Sequence, residues 1–244
     1  MLINCSYPAK TISYSTLANT HKYIVVHYTA NKNDTAKNNA RYYNTANTRS
    51  AGAHLFVDKD TIYKSVPLKY RAYAVGGTKY NNDGGKMYKK ITNANSISIE
   101  VAAGTTLEDF NKSFKTLSSL IIWLMKKYNI SIDNVYRHYD VNGKPCPLPL
   151  VETTAWSEFK NKLSAQYEAG SPYTITEKTC TTTCTTKLRN KAGTVKTSVP
   201  SSTCLELVSK DDMKLTIGDK KYKMSKVLYN NKIYYTKSQN LKFN

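Results

Sequence analysis

The segment TLEDFNKSFKTLSSLIIWLMKKY, residues 106–128, constrains the fold more than any other part of the chain. Its large apolar side chains recur at intervals of three and four residues, which predicts one long amphipathic helix with a broad apolar face. Those side chains are Leu107, Phe110, Phe114, Leu117, Ile121, Leu124 and Tyr128. Thr106 is placed to cap the N-terminus, and the acidic first turn and basic last turn suit the helix dipole. The longest continuous apolar run, LIIWLM, is far too short to span a bilayer.

Short strand-like runs lie on both sides of this helix in the sequence. They are KYIVVHYTA at 22–30, AHLFVDKDTIYKSV at 53–66, SISIEVA at 96–102 and NVYRH at 134–138. The second run predicts two strands around a turn at Lys59-Asp60, and the third alternates apolar and polar residues cleanly. A second amphipathic helix is predicted over TTAWSEFKNKLSAQY, residues 153–167. Together these segments predict an α/β fold with a mixed central β-sheet flanked by helices.

The character of the sequence changes near residue 171, where Gly-Ser-Pro precedes a threonine-rich stretch. Short strand candidates follow, with no segment of helical period, and this pattern predicts a small all-β, barrel-like unit. The turn signals between those strands are Lys191-Ala192-Gly193, Gly218-Asp219 and Asn230-Asn231. We therefore expect a larger α/β domain, which would be the catalytic one, over 1–168, a linker over 169–180 and a small all-β domain over 181–244.

The chain is strongly basic, with 36 Lys+Arg against 17 Asp+Glu and a net charge of +19. The positive charge is spread over both predicted domains and does not form a tail. Such a surface favours polyanionic partners: nucleic acid, anionic lipid or anionic cell-wall polymers. A solvated basic surface with no specific partner is the alternative.

The N-terminus MLINCSYPAK shows no basic region followed by an apolar run, so we expect synthesis in the cytoplasm without a signal peptide. Five cysteines are an odd number for a disulfide framework, and at least one should be a free thiol or a metal ligand. Cys180, Cys184 and Cys204 suggest a second metal site only weakly, because no histidine accompanies them. Free thiols are the favoured reading of these three.

Two polar residues stand inside predicted strands. Alternation places His27 with Val25 on one face of its strand, and it places Glu100 opposite the apolar face formed by Ile97, Ile99 and Val101. A carboxylate inside a strand is costly unless it faces water, a partner or a metal. Each residue alone is equally well explained as a satisfied or exposed polar group.

The segment RHYDVNGKPCPLP adds His138 and Cys146, which have seven residues between them, one of which is Lys144. Imidazole and thiolate are preferred zinc ligands, and three protein ligands with one open position make a catalytic site. His27, His138 and Cys146 would supply that number. Lys144, two residues before the cysteine, would point to the same side of an extended chain and could stabilise an oxyanion. The spacing by itself is a weak signal.

The blocks IVVHYTA, SAGAHLFVDKDTIYKSVP, SISIEVA and RHYDVNGKPCP, in this order, resemble the zinc N-acetylmuramoyl-L-alanine amidases of the amidase-2 family, which are similar in fold to peptidoglycan recognition proteins. The resemblance covers roughly residues 20–165. It implies that Zn²⁺ is bound by His27, His138 and Cys146. It also implies catalytic roles for Glu100 as the general base and Lys144 as the oxyanion partner.

Departures from the family pattern refine this assignment. One branch carries a catalytic tyrosine before the histidine of the AHLFV block, and Ala53 stands there instead, so the resemblance implies the glutamate branch. His54 matches a position near the cleft that is not a zinc ligand; we expect it either to contact substrate or to be a core histidine. The glycine usual in the following hairpin turn is replaced by the Lys59-Asp60-Thr61 sequence.

The C-terminal part is similar, less closely, to bacterial Src-homology-3-like wall-binding domains. Its tyrosines Tyr229, Tyr234 and Tyr235 would offer stacking faces to a wall ligand or form the core of a small barrel. The two resemblances together imply a peptidoglycan hydrolase, with phage endolysin as the preferred reading and release to the wall through a holin. A bacterial autolysin or spore-associated amidase, a non-catalytic peptidoglycan-recognition protein and a basic nucleic-acid binder are the alternatives.

Overall fold

The structure, a computed structural model, describes residues 1–177, 179–229 and 232–243. The chain forms two compact units. The first takes Met1 and Tyr7–Ile175, and the second takes Leu2–Ser6 with the described residues from Thr176 onward. Within these ranges no helix combines the length and apolar character needed to cross a membrane.

The elements of the first unit alternate between strands and helices. In chain order the strands are β2 (Tyr14–Ser15), β3 (Tyr23–Tyr28), β4 (Leu55–Val57), β5 (Ile62–Lys64), β6 (Arg71–Ala72), β7 (Ser96–Val101) and β8 (Val135–Arg137), while β1 (Leu2–Asn4) belongs to the second unit. The helices are α1 (Ala36–Thr45), α2 (Leu107–Lys112), α3 (Phe114–Tyr128), α4 (His138–Asn142) and α5 (Thr153–Ala169).

The central sheet of this unit has the order β8-β3-β7-β4-β5. Strands β8, β3, β7 and β4 are parallel to their neighbours, and β5 is antiparallel to β4. The sheet is therefore mixed, as predicted, and the predicted turn at Lys59-Asp60 joins β4 to β5. Asp58 fixes that turn because its carboxylate accepts hydrogen bonds from the backbone N–H groups of Asp60 and Thr61 at 2.9 and 2.6 Å.

The predicted long helix is present but is divided into α2 and α3, so the prediction of one continuous helix over 106–128 was wrong. The chain leaves helical geometry at Ser113, whose φ and ψ are −92° and 0°. The predicted cap is confirmed, since the Thr106 hydroxyl accepts a hydrogen bond from the Asp109 N–H at 3.2 Å. Helix α3 buries Leu117, Ile121 and Leu124 completely, and the periodicity therefore identified the correct face.

Helix α1 covers the far part of the sheet and was not predicted. It buries the small side chains Ala36 and Ala40 against Phe56 of β4. Thr35 caps its N-terminus by accepting a hydrogen bond from the Asn38 N–H at 3.1 Å. The helix brings tyrosines and asparagines to one end of the sheet, where the functional site lies.

The described residues of the second unit are all-β apart from one short 3-10 turn. Its further strands are β9 (Thr176–Glu177), β10 (Thr179–Thr182), β11 (Thr186–Arg189), β12 (Val195–Val199), β13 (Cys204–Ile217), β14 (Lys220–Tyr229), β15 (Lys232–Lys237) and β16 (Leu241–Phe243). The sheet has the order β12-β11-β15-β14-β13-β10-β16, and β1 pairs with β9 in parallel. The all-β prediction is thus confirmed. Two of these strands, β9 and β10, lie in or begin in the stretch 169–180 for which a linker was predicted.

Side chains from both ends of this sheet form its core. Tyr235 is buried, and Tyr229 and Tyr234 pack against the core cluster around Val227, which agrees with their structural reading. The turns at 191–193 and 218–219 are present, and the predicted turn at 230–231 lies outside the described residues. Cys180 is buried and Cys184 is exposed, while the side chain of Cys204 lies outside the description.

Candidate metal centre

The parallel strands bring the predicted site residues to one edge of the sheet. His27 lies at the C-terminal end of β3, directly opposite Glu100 on β7. On the other side of β3, Val26 is in register with Arg137 of β8, so His138 follows just beyond that strand. Because parallel strands end at the same edge, three residues that are far apart in the sequence become neighbours.

Two histidines and a cysteine converge at this edge. One ligand atom each from His27, His138 and Cys146 can be chosen so that all three atoms lie within 4.8 Å of one another. The imidazole rings of the two histidines are 4.5 Å apart between centroids. All three residues are buried. Their donor atoms are close enough to share one ion, as the sequence predicted.

Several buried polar atoms of these side chains lack a hydrogen-bond partner. Among the described residues, the buried atoms Nε2 of His27, both ring nitrogens of His138 and Oε2 of Glu100 have no hydrogen-bond partner. Buried polar atoms are normally satisfied, and leaving several unpaired in one place is costly. A bound cation and its solvent would satisfy this group.

The loop that carries Cys146 is fixed by backbone contacts to helix α4. The Cys146 carbonyl accepts a hydrogen bond from the Tyr139 N–H at 2.8 Å, next to His138. Gly143 ends α4 with a φ of 81°, in the left-handed region where glycine is favoured. A Cβ added there would lie 2.8 Å from the Asn81 side chain. The two candidate ligands His138 and Cys146 are thereby held by one short, rigid segment.

Arg137 supports the same segment and was not singled out from the sequence. Its guanidinium pairs with Asp140 at 2.6 Å and donates to the carbonyl oxygens of Leu150 and Val151 at 2.6 and 2.8 Å. The side chain stacks between Tyr139 and Trp156. A buried arginine with all these partners joins the start of α4 to the chain that follows Cys146.

Burial governs the ionisation of the three convergent side chains. It lowers the pKa of His27 well below its usual value, with further lowering by the nearby His138 and Lys144. Burial also lowers the pKa of His138 to about 4. It raises the pKa of the Cys146 thiol to about 12, and the neighbouring Glu100 acts in the same direction. The histidines are therefore neutral at physiological pH, which is the form that binds metals.

Glu100 is the carboxylate of the site. Its Oε1 lies 3.9 Å from Nδ1 of His27. Burial raises the pKa of Glu100 to about 8, and Lys144 opposes that shift. The shift brings the pKa of Glu100 closer to neutral pH, the range in which a carboxyl group can serve in proton transfer.

A cavity of about 680 Å³ opens onto these residues. Its wall includes Glu100, Lys144 and the three convergent side chains, together with residues that sequence reasoning missed. Those residues come chiefly from α1 and the loop after it: Asn38, Asn39, Tyr42, Tyr43 and Arg49. Their only signal in the sequence was a weak helical pattern of small and aromatic residues, since asparagine-rich segments rarely suggest a helix.

His54 does not join the site. Its ring is fully buried and lies outside the residues that line the cavity. Nε2 donates to the Tyr70 carbonyl at 2.9 Å, and Nδ1 accepts from the Ser98 N–H at 3.0 Å. Burial lowers its pKa to about 4. Two roles were expected for His54. The enclosed ring agrees with a core histidine and does not agree with contact to substrate in this structure.

We predict that His54→Ala will destabilise the first unit without changing substrate affinity. The substitution leaves the Ser98 N–H unpaired in the core, at about 1–3 kcal/mol for an unsatisfied group. It also removes one of two hydrogen bonds to the Tyr70 carbonyl, which keeps the bond from the Asn19 amide at 3.3 Å. Denaturant unfolding of the full chain should show this loss, and KM for the substrate, measured well below the melting temperature, should be unchanged. A raised KM with unaltered stability would contradict the core assignment.

The fold and this edge of the sheet define a class of α/β domains that carry three convergent donor atoms beside a carboxylate. The chain belongs to the N-acetylmuramoyl-L-alanine amidase family Amidase_2, whose pattern matches residues 17–149. The match covers more than half of the chain.

Relatives and solved structures agree with this membership. The N-acetylmuramoyl-L-alanine amidase BlyA of Bacillus subtilis is 31% identical over 158 residues, which are 62% of this chain and 43% of BlyA. CwlL of Bacillus licheniformis is 29% identical over 153 residues, which are 59% of this chain and 41% of CwlL. The chain therefore spans less than half the length of these curated relatives.

Among solved structures, the catalytic domain of XlyA is 33% identical with a TM-score of 0.53, covering 67% of this chain and 99% of that domain. A mutant endolysin from Bacillus subtilis is 31% identical with a TM-score of 0.54, covering 67% of this chain and 98% of the endolysin chain.

Proposed function

We propose that the first unit hydrolyses the amide bond between N-acetylmuramic acid and the L-alanine of the peptidoglycan stem peptide. The observation that carries this proposal is the convergence of His27, His138 and Cys146 beside Glu100 in an open cavity. The printed names of the relatives, which are N-acetylmuramoyl-L-alanine amidases, support the choice of substrate.

The donor set suits zinc. Two neutral imidazoles and one cysteine sulfur are typical of zinc centres, and three protein ligands leave one position open for the reacting water. The ring nitrogens of His27 and His138 that make no hydrogen bond are atoms of the kind that bind zinc. Harder cations such as Mg²⁺ and Ca²⁺ prefer oxygen ligands, which this group does not supply.

The chain's own residues then account for the proton transfers. Bound zinc supplies positive charge that lowers the pKa of a water molecule toward about 7 and favours the carboxylate form of a neighbouring acid. Glu100 takes a proton from the attacking water and delivers it to the nitrogen of the leaving amine. Lys144, at the cavity wall, places its ammonium near the oxyanion that forms on the carbonyl.

In the cell, we propose that the protein acts as a phage-type endolysin, made in the cytoplasm and released to the wall through a holin. The similarity to an endolysin structure from Bacillus subtilis supports this role. A bacterial autolysin or a spore-associated amidase would use the same chemistry. The second unit is proposed to be a wall-binding domain of Src-homology-3-like type.

Analysis of digested peptidoglycan tests the activity. We expect the full chain to release free L-alanine amino termini from purified walls, detected by mass spectrometry of the products. A chelator should abolish the release and added zinc should restore it, because the metal is required for the reaction. New reducing sugar ends, or new termini elsewhere in the peptide, would contradict the proposed bond. Wall binding without any new termini would favour a non-catalytic recognition protein.

A further inference from the structure

The hairpin formed by β13 and β14 extends beyond the core of the second unit. Met213 pairs with Met224, and from there to the turn the register is Lys214 with Lys223, Leu215 with Tyr222, and Thr216 with Lys221. Because side chains alternate between faces along a strand, Lys214, Thr216, Lys221 and Lys223 share one face, which we call the lysine face.

The opposite face of the hairpin is already covered. Its residues Met213, Leu215, Ile217 and Tyr222 are half-buried, whereas all four residues of the lysine face are exposed. Lys220, which pairs with Ile217 beside the turn, is an exposed lysine on this opposite face. A Cβ added at Gly193 would lie 3.0 Å from the Leu215 side chain, so the hairpin packs on the turn between β11 and β12. Lys237 lies 3.5 Å over the Tyr222 ring on the covered side. The orientation of the hairpin is thereby fixed, with the lysines outward.

The lysine face is electrostatically unfavourable as it stands. Like charges directly opposite each other on neighbouring strands destabilise a sheet, and Lys214 and Lys223 are such a pair. Compensation comes from Asp211, whose carboxylate is 3.7 Å from Lys223. Asp212 follows at the base of the hairpin and Asp219 lies in its turn, so residues 210–226 hold six lysines and three aspartates. An anion bound between the lysines would relieve the remaining repulsion.

We propose that the lysine face binds phosphate-bearing linear polymers of the bacterial wall. The choice of a wall polymer rests on the proposed function, and the choice of an anion rests on the hairpin itself. Alternate residues along a strand are about 6.6 Å apart, so the lysines form a short row of positive charges for a chain of repeated phosphates. Lysine binds phosphate as a point charge and makes few geometric demands, which suits a flexible polymer.

Nucleic acid fits this face less well. Single-stranded nucleic acid is held by aromatic side chains that stack on bases, as well as by positive charge. The lysine face consists of three lysines and a threonine, and the nearby Tyr222 points to the covered side. The face therefore supplies charge without a stacking platform.

The test compares the full chain with the triple variant Lys214→Gln, Lys221→Gln and Lys223→Gln. Binding is measured by co-sedimentation with Gram-positive walls that carry phosphate polymers, and with the same walls after hydrofluoric acid has removed those polymers. We expect the variant to bind the untreated walls about tenfold more weakly or worse at low salt, and both proteins to bind stripped walls equally. Titration with soluble poly(glycerol phosphate) should show a shallower salt dependence for the variant, since fewer ions are released.

A matched control separates this face from net charge. Lys187, Lys196 and Lys242 are exposed lysines of the same unit, and their joint replacement by glutamine removes the same charge. An equal loss of binding in this control, or unchanged binding in the lysine-face variant, would overturn the proposal. A loss confined to duplex DNA, with wall binding retained, would overturn it in favour of nucleic acid. Release of L-alanine termini from stripped walls tests the proposed function separately, and it should be the same in all three proteins.

Discussion

Replacing Glu100 by glutamine is expected to lower the turnover of wall substrate by about 10²-fold or more while leaving the metal bound. Glutamine has nearly the same shape but cannot accept the proton of the attacking water. Glu100 lies beside His27 and contributes no atom to the group of three convergent donors, so the metal content should not change. The measurements are a turbidity-drop assay on purified walls and elemental analysis of the purified protein.

The stability of Glu100→Gln gives a second, independent readout. Burial raises the pKa of Glu100 to about 8, which means that holding this carboxylate charged opposes folding. A neutral amide removes that cost, so the melting temperature should stay the same or rise. Glu108→Gln is the matched control because Glu108 is an exposed glutamate of α2. A Glu100→Gln protein with full lytic activity would remove Glu100 from the role of general base.

The strand pattern singled out the candidate site residues but left each of them ambiguous, and their proposed roles came from the resemblance to the amidase-2 family. His27 and Glu100 are polar residues inside runs of β-branched side chains, and both runs end at the same edge of a parallel sheet. His138 and Cys146 stand in one short segment, so their proximity needed only a tight turn. The alternation of strands fixes which way each side chain points, and this is a property that a sequence carries locally.

Other parts of the fold were decided by contacts that the sequence does not display. Helix α1 packs through alanines, which are too small to produce a clear apolar period. Arg137 resembles a surface charge in the sequence, yet it is buried because carbonyl oxygens and Asp140 satisfy it. His54 resembles a cleft residue, and its core role depends on Tyr70 and Ser98, which reach it from other segments.

The positive charge is a further example of a property that the sequence shows only in part. Net charge predicts an affinity for polyanions, but it does not distinguish a solvated surface from a binding surface. The register of β13 with β14 shows where part of the charge is concentrated, since it sets Lys214 opposite Lys223. A one-residue shift of β14 against β13 would turn Tyr222 outward and move Lys221 and Lys223 to the covered face. The face of the hairpin on which the lysines lie therefore depends on strand pairing and could not be derived from composition.

Replacing Cys146 by serine is expected to abolish stable zinc binding and with it the amidase activity. A hydroxyl is a much poorer zinc ligand than a thiolate, and two histidines alone leave the site one ligand short. The loss of activity should exceed the about 10–100-fold that removal of an outer partner of a metal ligand causes. Elemental analysis should find little zinc in the purified variant.

Thermal unfolding with and without zinc separates loss of the ligand from loss of the fold. A ligand that binds only the folded state raises its stability, so zinc should raise the melting temperature of the unmodified chain and leave that of Cys146→Ser unchanged. In chelator the two proteins should unfold at similar temperatures, because Arg137 and the Tyr139–Cys146 backbone bond still hold the loop. Cys184→Ser is the control, since Cys184 is an exposed cysteine of the second unit and should leave zinc content and activity unaltered. Unchanged zinc stoichiometry in Cys146→Ser would contradict the assignment of Cys146 as a ligand, whatever its effect on lysis.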